Sequence, residues 1–540
     1  MHFITGKDRH QLEFRSLEDG VATANPVRFI DAFVEKIELD KLGFTSKTLK
    51  SEGRPAFTNQ LMLKIYIYGY FNGIRSSRRL ETECCRNIEL QWLTANLQPN
   101  YHSIADFRKI NPNALKAVFK LFVLFLKDAK LVGAKTVACD GTKIRAHNSK
   151  KKNYSQKKID RHIAYIDEKI NEYLQTLDHN DQQLATEIIS DVQQKIEQLN
   201  TRKINYEALG EQLKDSGDTQ ISITDPDARA LLVQGQVVEV SYNVQTAVDN
   251  KHNLIVATHT INTNDRNALF NIANEAKQNL HVPTITTLND KGYHNGRQIQ
   301  QCTDANITTI VAHQTLVNAN EDKGHGYTTA AYMVDKFQYN EVDDSYTCPQ
   351  GHTLHTQGTW HKKSRDNDSY LFKKYRTPHC GTCPAKHLCT GRQKGGREIE
   401  RSQFAKAVEQ NKQRYILNKA LYRTRQEINE HIFGTIKRKW GYNYTNLKGL
   451  EKVNGEMALI MTIYNIKRTI NILGMDKLMK KLEKWKPDYK KIKNWTQKGL
   501  KAVLFWHKTV LQFYDKEIEI MEKQKSNDYT RFHQAFQGHF

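Results

Sequence analysis

The chain of 540 residues is long enough for several domains and a sizeable core. Its 81 Lys and Arg residues outnumber its 59 Asp and Glu residues, which gives a formal net charge of +22. That excess favours a polyanionic partner, nucleic acid before a membrane surface, although a merely basic or ribosome-associated protein carries the same charge. Because the sequence has no run of about eighteen apolar residues and no apolar signal core at its start, we expect a cytoplasmic protein.

Residues 1–130 are predicted to be mostly helical. One helix is expected over 76–93, with Ser76 or Ser77 near its N-cap. Arg78 and Arg79 stand at the start of this helix, where they suit contact with DNA phosphates. A helical oligomerisation domain would explain the same pattern equally well.

The middle of the chain predicts an α/β core with an insertion. A strand is expected over 135–141, and the long polar stretch 149–216 has apolar residues at helical spacing, which indicates an inserted helical hairpin. The remaining core elements follow in chain order: strands at 237–249 and 253–261, a helix at 265–280 with Asp265 as its N-cap, and strands at 284–290 and 308–313.

The last third of the chain changes character twice. Residues 320–400 are polar and contain clustered cysteines, after which a long helix is predicted over 415–439 and an apolar, buried one over 446–473. The C-terminal region 476–540 is rich in Lys and is expected to be a basic helical segment, either DNA-binding or simply solvated.

Four cysteines within this region have the spacing of a metal site. Cys380 and Cys383 form a Cys-x₂-Cys pair, with Cys348 before them and Cys389 after. Four thiolates suit tetrahedral Zn²⁺, so we expect a structural Zn²⁺ in a ribbon-like insertion that either contacts DNA or stabilises the fold. Free thiols on a reduced cytosolic surface are the alternative.

Three acidic residues stand where chemistry can use them. Asp140 and Asp290 end predicted strands, and Glu430 lies on a predicted helix. Because strand ends meet at one edge of an open sheet, the two aspartates can converge there, and a neighbouring helix can supply the glutamate. Carboxylates bind Mg²⁺, and two such ions clamp the attacking and leaving oxygens of a phosphoryl transfer. Taken singly, each residue is explained as well by a turn or a solvated helix position.

Longer phrases in the sequence carry a family resemblance. They are VACDGTKIRAHNSKKKNY, ITDPDARAL, VSYNVQTAVD, TLNDKGYHNG and EHIFGTIKRKWGY, preceded by YGYFNGIRSSRRLETECCRNIELQWL and SIADFRKIN. In this order they resemble bacterial insertion-sequence transposases of the DDE superfamily, most closely the branch named insertion-sequence family eleven-eighty-two. The resemblance runs from about residue 15 to 475.

This resemblance implies a ribonuclease-H-like catalytic core with a helical N-terminal DNA-binding domain. Asp140 would lie on the first strand, Asp290 on the fourth and Glu430 on a late helix, together holding two Mg²⁺ or Mn²⁺ ions. The implied domains are a helical N-terminal domain at 1–130, the core at 131–319 and 401–475 with its helical insertion at 149–216, the Cys-rich insertion at 320–400 and the basic C-terminal region at 476–540.

The resemblance extends to a tyrosine, arginine, glutamate and lysine signature on the helix of the third acid. Tyr422, Arg425, Glu430 and Lys437 match it, and six residues separate Glu430 from Lys437 as in the family. Arg425 is one residue further from Glu430 than in the related group with this signature, which turns it about 100° around a helix. Glu427 is the rival for the third acid, but it breaks the spacing to Lys437.

The implied activity is hydrolysis of DNA at the element's ends, followed by attack of the freed 3′-hydroxyl on target DNA. The partners would be double-stranded DNA, as terminal inverted repeats and as target, and a second copy of the chain. Lys143 and Arg145, in the basic segment 143–158, suit a phosphate track, although a solvated charge run is the alternative. A metal-dependent nuclease without strand transfer and an inactive DNA-binding relic remain as competing functions.

Overall fold

The computed structural model describes residues 7–12, 14–45, 56–179, 186–234, 237–313, 328–365 and 368–492. Within these ranges no helix combines the length and the apolar character needed to cross a bilayer. The greater part of the basic C-terminal region predicted at 476–540 lies outside the described residues.

Helices account for much of the chain. In the described residues they are α1 Pro26–Lys36, α2 Asn59–Phe71, α3 Ser77–Arg86, α4 Ile88–Thr94, α5 Tyr101–Ile110, α6 Pro112–Asp128, α7 Gln156–His179, α8 Thr186–Ser216, α9 Leu269–Asn279, α10 Gly296–Asp304, α11 Lys386–Cys389, α12 Ala405–Leu417, α13 Lys419–Phe433, α14 Leu450–Leu473 and α15 Met475–Lys484.

The strands form two main sheets and one short ribbon. They are β1 Thr136–Arg145, β2 Asn153–Ser155, β3 Gln220–Ser222, β4 Arg229–Gln234, β5 Val237–Asp249, β6 Leu254–Ile261, β7 Ile285–Asn289, β8 Ile307–Val311, β9 Gln338–Asn340, β10 Ser345–Thr347, β11 Thr353–Thr356, β12 His361–Arg365, β13 Asp368–Arg376 and β14 Ile399–Ser402.

Polar side chains cap the N-terminal helices α3 and α4 and mark where each helix begins. The Ser76 side chain accepts a hydrogen bond from the Arg79 amide, which confirms the predicted helix start. The helix predicted over 76–93 is in fact two helices, because the Asn87 side chain caps a second one by accepting from the Glu89 and Leu90 amides. These helices share one hydrophobic core with the central sheet and α14.

The central sheet has the strand order β4-β5-β1-β7-β8, with β6 also pairing with β5. β5 is antiparallel to β1, β4 and β6, whereas β7 is parallel to both β1 and β8. An antiparallel half joined through β1 to a parallel half is consistent with a ribonuclease-H-like core. This topology places the first half of β1 beside β7.

Two further units interrupt the sheet in sequence. The helices α7 and α8 pack together between β1 and β5, with a small apolar core of their own that includes Ile159 and Leu213. Strands β9 to β14 form a second sheet between β8 and α12, around a separate core that includes Tyr375 and Ile399. Neither unit contributes to the large shared core.

The single helix predicted over 415–439 is wrong in its length and continuity. α12 ends at Leu417, α13 begins at Lys419, and the chain continues as a π-helical turn over Gly434–Lys439. Asn418 lies outside α-helical geometry and separates the two α-helices. The π-helical turn changes the direction of the side chains beyond α13, so an ideal helical wheel does not place Lys437.

Candidate active site

Asp140 and Asp290 lie at the same level on neighbouring parallel strands. Thr136 pairs with Thr286 and Ala138 with Leu288, and Asp140 and Asp290 each follow this last pair by two residues, close enough for the charge of Asp290 to raise the pKa of Asp140. Asp290 directly follows β7, and its Oδ1 accepts a hydrogen bond from the Gly292 amide at 2.8 Å. Because adjacent strands are about 4.8 Å apart, the two carboxylates stand close together at one edge of the sheet.

A polar cluster centred on Asp265 lies beside β1 and β5. Asp265 accepts hydrogen bonds from the Nζ of Lys143 at 2.9 Å, the amide of Asn243 at 2.9 Å and the amide of Gln245 at 2.7 Å. Tyr293 donates its hydroxyl to Gln245. These contacts fix a third carboxylate near the aspartate pair.

The prediction that Asp265 is the N-cap of a helix over 265–280 is wrong. The Asn264 side chain caps this turn by accepting from the Arg266 amide at 3.3 Å, α9 begins only at Leu269, and the Asp265 side chain turns toward β1. The available signal was in β5, where the polar residues Asn243 and Gln245 alternate with apolar ones in the buried part of the strand.

Gly141 is required by this cluster. A Cβ atom at this position would lie 2.3 Å from the Gln245 amide nitrogen and 2.4 Å from an Asp265 oxygen. The Asp-Gly pair at 140–141 is therefore not a turn: both residues lie inside β1, and the missing side chain leaves room for the polar cluster.

The electrostatics of Asp140 are those of a crowded acid. Burial raises the pKa of Asp140 to about 6; the Gly141 amide and Arg425 oppose the shift, and the Asp290 and Asp265 charges add to it. Burial alone would also raise the pKa of Asp265, but Lys143 and the amides of the cluster lower it. An excess of negative charge at one sheet edge is what a divalent cation offsets.

The helix α13 contains three of the four signature residues, Tyr422, Arg425 and Glu430. It packs against β1 and β7, and its Arg425 places Nη1 3.6 Å from Asp140 Oδ2. The Arg425 guanidinium lies 5.7 Å from the Tyr422 ring. Burial raises the pKa of Tyr422, and the charge of Asp290 contributes to that shift. The structure thus brings Tyr422 and Arg425 to the aspartate pair.

Lys437 approaches the same strand from beyond the π-helical turn. Its Nζ donates to Thr142 Oγ1 at 3.2 Å and to the Lys143 carbonyl at 3.0 Å. These acceptors are two and three residues beyond Asp140 on β1. The ammonium group is therefore held beside β1, two to three residues from Asp140.

Glu430 is the signature residue that the structure leaves outside the aspartate pair. Its side chain is exposed, as is that of Glu427. On an ideal helix Glu430 lies about 140° around the axis from Arg425, whereas Asn429 lies only about 40° away. Asn429 is 1% exposed, and its amide nitrogen and oxygen have no hydrogen-bond partner among the residues that the structure describes. The inward position on α13, one turn after Arg425, is thus an asparagine.

The other predicted DNA contacts lie on both sides of the site. Lys143 is paired with Asp265, and Arg145 with Glu239 at 2.6 Å. Arg78 lies over the Tyr101 ring, and Arg79 is exposed in the first turn of α3. Arg145 and Arg79 therefore present charge to solvent, while Lys143 helps to fix the site itself.

The four clustered cysteines line one cavity in the second sheet's domain. Burial raises the pKa of Cys389, and Cys380, Cys348 and Cys383 add to the shift, which places all four thiols within electrostatic reach of one another. A tight turn follows Cys348, whose amide donates to His352 at 2.9 Å. Sulfur ligands of this number and kind fit Zn²⁺.

Metal geometry is not complete at either place. In the part of the chain that the structure describes, no three His, Cys, Asp or Glu side chains lie close enough together to hold a metal ion as they stand. The cysteine cluster would have to contract, and the aspartate pair would need a further ligand.

Comparison with known protein families gives matches in two separate parts of the chain. Two transposase family models match this chain. The Transposase DDE domain matches residues 347–470, which include the cysteine cluster, α13 and α14. The Transposase domain (DUF772) matches residues 15–110, which include the helices α1 to α5. Asp140 and Asp290 lie between the matched ranges.

Both matched families are transposase domains, which supports a DNA transposase as the class of this chain. DDE transposase domains generally use divalent metal ions, so the chemistry of the aspartate pair fits the matched family. No curated protein and no solved structure matched the chain.

Proposed function

We propose that this chain is a DNA transposase of the insertion-sequence branch named above, and that it cleaves DNA at element ends and joins those ends to target DNA. The observation that supports the proposal is that Asp140 and Asp290 each follow the last residue pair of β1 and β7 by two residues, with Arg425 3.6 Å from Asp140. The matched transposase families supply the class of reaction.

In this proposal Asp140, Asp290 and Glu430 hold two Mg²⁺ or Mn²⁺ ions. When bound, these ions would supply an activated water and stabilise charge on the attacking and leaving oxygens. Glu430 lies on the helix that packs against both strands, and its side chain is exposed. Asp265 keeps Lys143 and the β5 amides in place, so it positions Asp140 without contacting DNA.

The basic groups have separate tasks in this mechanism. Arg425, 13% exposed and close to Asp140, would stabilise the negative charge of the phosphate under attack. Lys437 would hold the next part of the DNA strand through its ammonium group. Tyr422 would orient Arg425, because its ring lies against the guanidinium.

The proposal includes partners and a structural metal. Terminal inverted repeats and target DNA would be the substrates, bound by two copies of the chain in a cytoplasmic, nucleoid-associated complex. A Zn²⁺ ion held by Cys348, Cys380, Cys383 and Cys389 would stabilise the second sheet. The cavity shared by the four thiols supports that assignment.

The decisive experiment is an in vitro cleavage and joining assay in Mg²⁺ with the DNA that flanks this gene. The wild-type chain is compared with Asp140→Asn and Asp290→Asn, and with Asp304→Asn as a matched control, because Asp304 is exposed at the end of α10, outside the sheet. Cutting and joining are expected in the wild type and the control, and both aspartate variants should bind DNA without cutting it.

Other outcomes identify the competing functions. Cutting without joining by the wild-type chain would indicate a nuclease. DNA binding with neither reaction, on ends shown to be those of the element, would indicate an inactive relic. Substantial cleavage by Asp140→Asn or Asp290→Asn would remove that residue from the proposed metal site.

A further inference from the structure

A second charged cleft lies between the N-terminal helices and the segment that follows Lys437. It encloses about 510 Å³, and its lining includes Arg75, Arg79, Arg108, Trp440 and Tyr444. The start of α3 forms one wall, and the chain after the π-helical turn forms the other. We refer to it as the Arg75 cleft.

The floor of the Arg75 cleft carries more positive than negative charge. Arg75 and Arg108 are 7% and 6% exposed, and both face the fully buried Glu456, at 2.9 and 3.6 Å. Two guanidinium groups thus share one carboxylate. Burying an uncompensated charge is unfavourable, so an anion in the cleft would stabilise this arrangement.

Donor groups in the cleft remain without acceptors. The Nε and Nη1 atoms of Arg75 and the Nε atom of Arg108 are buried and have no hydrogen-bond partner among the described residues. Ser76 and Ser77, at the first turn of α3, also line the cleft. The first amides of a helix have no acceptor within it, and together with the helix dipole they favour a bound anion.

The other wall suits a sugar–phosphate chain better than a small free ion. The Arg75 guanidinium lies 4.8 Å from the Tyr442 ring and 4.9 Å from the Tyr444 ring. Tyr444 is 48% exposed, so one face of the aromatic wall remains open. The cleft is open to solvent along this side, which leaves room for a chain to enter and leave.

The Arg75 cleft is tied to the strand that carries Asp140. Arg145, the last residue of β1, donates its amide to the Asn443 carbonyl at 3.0 Å and accepts from the Thr445 amide at 2.9 Å. Five residues of strand separate Arg145 from Asp140, a distance of about 17 Å. Lys437 stands between them, beside Thr142. The rise of duplex DNA covers that distance in about five nucleotides.

We propose that the Arg75 cleft binds a backbone phosphate of the DNA whose reacting phosphate lies at Asp140, about five nucleotides away. The proposal rests on the proposed function for the identity of the ligand, and it adds a specific site to it. The cleft holds the phosphate with Arg75, Arg79 and the first turn of α3, and so it fixes the distance between the N-terminal helices and the cut.

The test uses a pair of charge-matched variants on one helix. Ser77→Glu places a carboxylate in the cleft at a position where an acidic residue favours the helix, so the variant is expected to fold. Thr82→Glu adds the same charge to an exposed position of α3 outside the cleft lining. Affinity for a duplex oligonucleotide is measured over a range of salt concentrations, with EDTA present so that no cleavage occurs.

Ser77→Glu is expected to bind more weakly and to lower the slope of log affinity against log salt by about one, the effect of one lost phosphate contact. Thr82→Glu should keep the wild-type slope. Equal slopes in the two variants would overturn the proposal. Because this assay needs no catalysis, its result is independent of whether the cleavage and joining assay succeeds.

Discussion

Asp140 carries a carboxylate into a place where burial and like charges both disfavour its ionised form. The raised pKa of about 6 means that, between about pH 4 and 6, the folded chain binds more protons here than the unfolded chain does. The stability of the metal-free protein therefore falls as the pH rises through this window. A carboxylate whose pKa is raised in this way by burial and by neighbouring charges is typical of a functional site.

We therefore predict that Asp140→Asn raises the free energy of unfolding of the metal-free chain at pH 7 by about 1–3 kcal/mol, since the amide has no charge to bury. Calorimetry in EDTA measures the effect, and the difference should vanish below about pH 4. A variant that unfolds below the wild-type temperature at pH 7 would show that the Arg425 contact outweighs burial.

At this scale the sequence predicted some residues and missed others for a physical reason. Asp290 directly follows β7, as its local pattern predicts, whereas the prediction that Asp140 ends a strand is wrong, because β1 continues to Arg145. The role of Asp265 depends on which way its side chain turns, and its partners on β5 are about twenty residues earlier in the chain. Asn264 next to it is an equally good cap, so local sequence could not decide between them.

The element that decides the catalytic assignment is α13. Its start after Asn418 and its π-helical end set which side chains face the sheet, and neither feature is visible in the hydrophobic pattern. The signature spacing comes from a resemblance and not from an ideal helix; in the structure Arg425 lies 3.6 Å from Asp140 and Lys437 contacts Thr142, whereas Glu430 makes no contact with the aspartate pair among the described residues.

Glu430 and Glu427 form a natural matched pair on this helix, since both are exposed. We predict that Glu430→Gln abolishes Mg²⁺-dependent DNA cleavage, because it removes the third ligand, while Glu427→Gln retains most of it. Single-turnover cleavage rates measure both. The reverse result would assign the third ligand to Glu427, and loss in neither would exclude α13 as a source of one.

The stability and the zinc content of the second sheet provide a test of the Zn²⁺ site proposed at the four cysteines. Its apolar core is small and includes Tyr346, Leu354 and Tyr375, so a metal is expected to supply part of its stability. We predict about one bound Zn²⁺ per chain, and loss of that metal together with a lower melting temperature in Cys380→Ser. Cys85→Ser, an exposed thiol outside the cluster, is the control.

Elemental analysis of the purified chain gives the zinc content directly. If the wild-type chain contains no zinc and Cys380→Ser melts at the same temperature, the four cysteines are free thiols and the Zn²⁺ assignment is wrong.

Across the whole molecule, the N-terminal helices and the catalytic sheet are joined by a buried ionic contact. Glu456 on α14 accepts from Arg75 at 2.9 Å, lies 3.6 Å from Arg108, and also accepts from the Tyr70 hydroxyl at 2.9 Å. The coulombic attraction of Arg108 and Arg75 lowers the pKa of Glu456 against the effect of its burial. This contact links the two parts at the Arg75 cleft.

We predict that Glu456→Gln lowers the free energy of unfolding by about 3–5 kcal/mol, because it leaves two buried guanidinium groups without a counter-charge. Glu451→Gln, on an exposed position of the same helix, should change stability by less than about 0.5 kcal/mol. Denaturant unfolding measures both. A small effect in Glu456→Gln would mean that solvent reaches the two arginines.

Some features of the overall architecture could be predicted from the sequence, and others could not. The order of strands and helices in the core was predictable, because apolar segments of strand length alternate with amphipathic ones. The parallel register of β1 and β7 was not, since it depends on pairing across about 150 residues that include the α7–α8 hairpin. The Arg75 cleft depends on a similarly long-range contact, between Arg75 and Glu456.

The central claim is that Asp140, Asp290 and Glu430 form one metal centre. Localised cleavage of the polypeptide by bound Fe²⁺, with ascorbate and peroxide, reports which backbone segments surround the metal. We predict cuts near residues 140, 290 and 430 in the wild-type chain, suppressed by excess Mg²⁺ and lost in Asp140→Asn. Cuts that spare 140 and 290, or that persist in Asp140→Asn, would contradict the account.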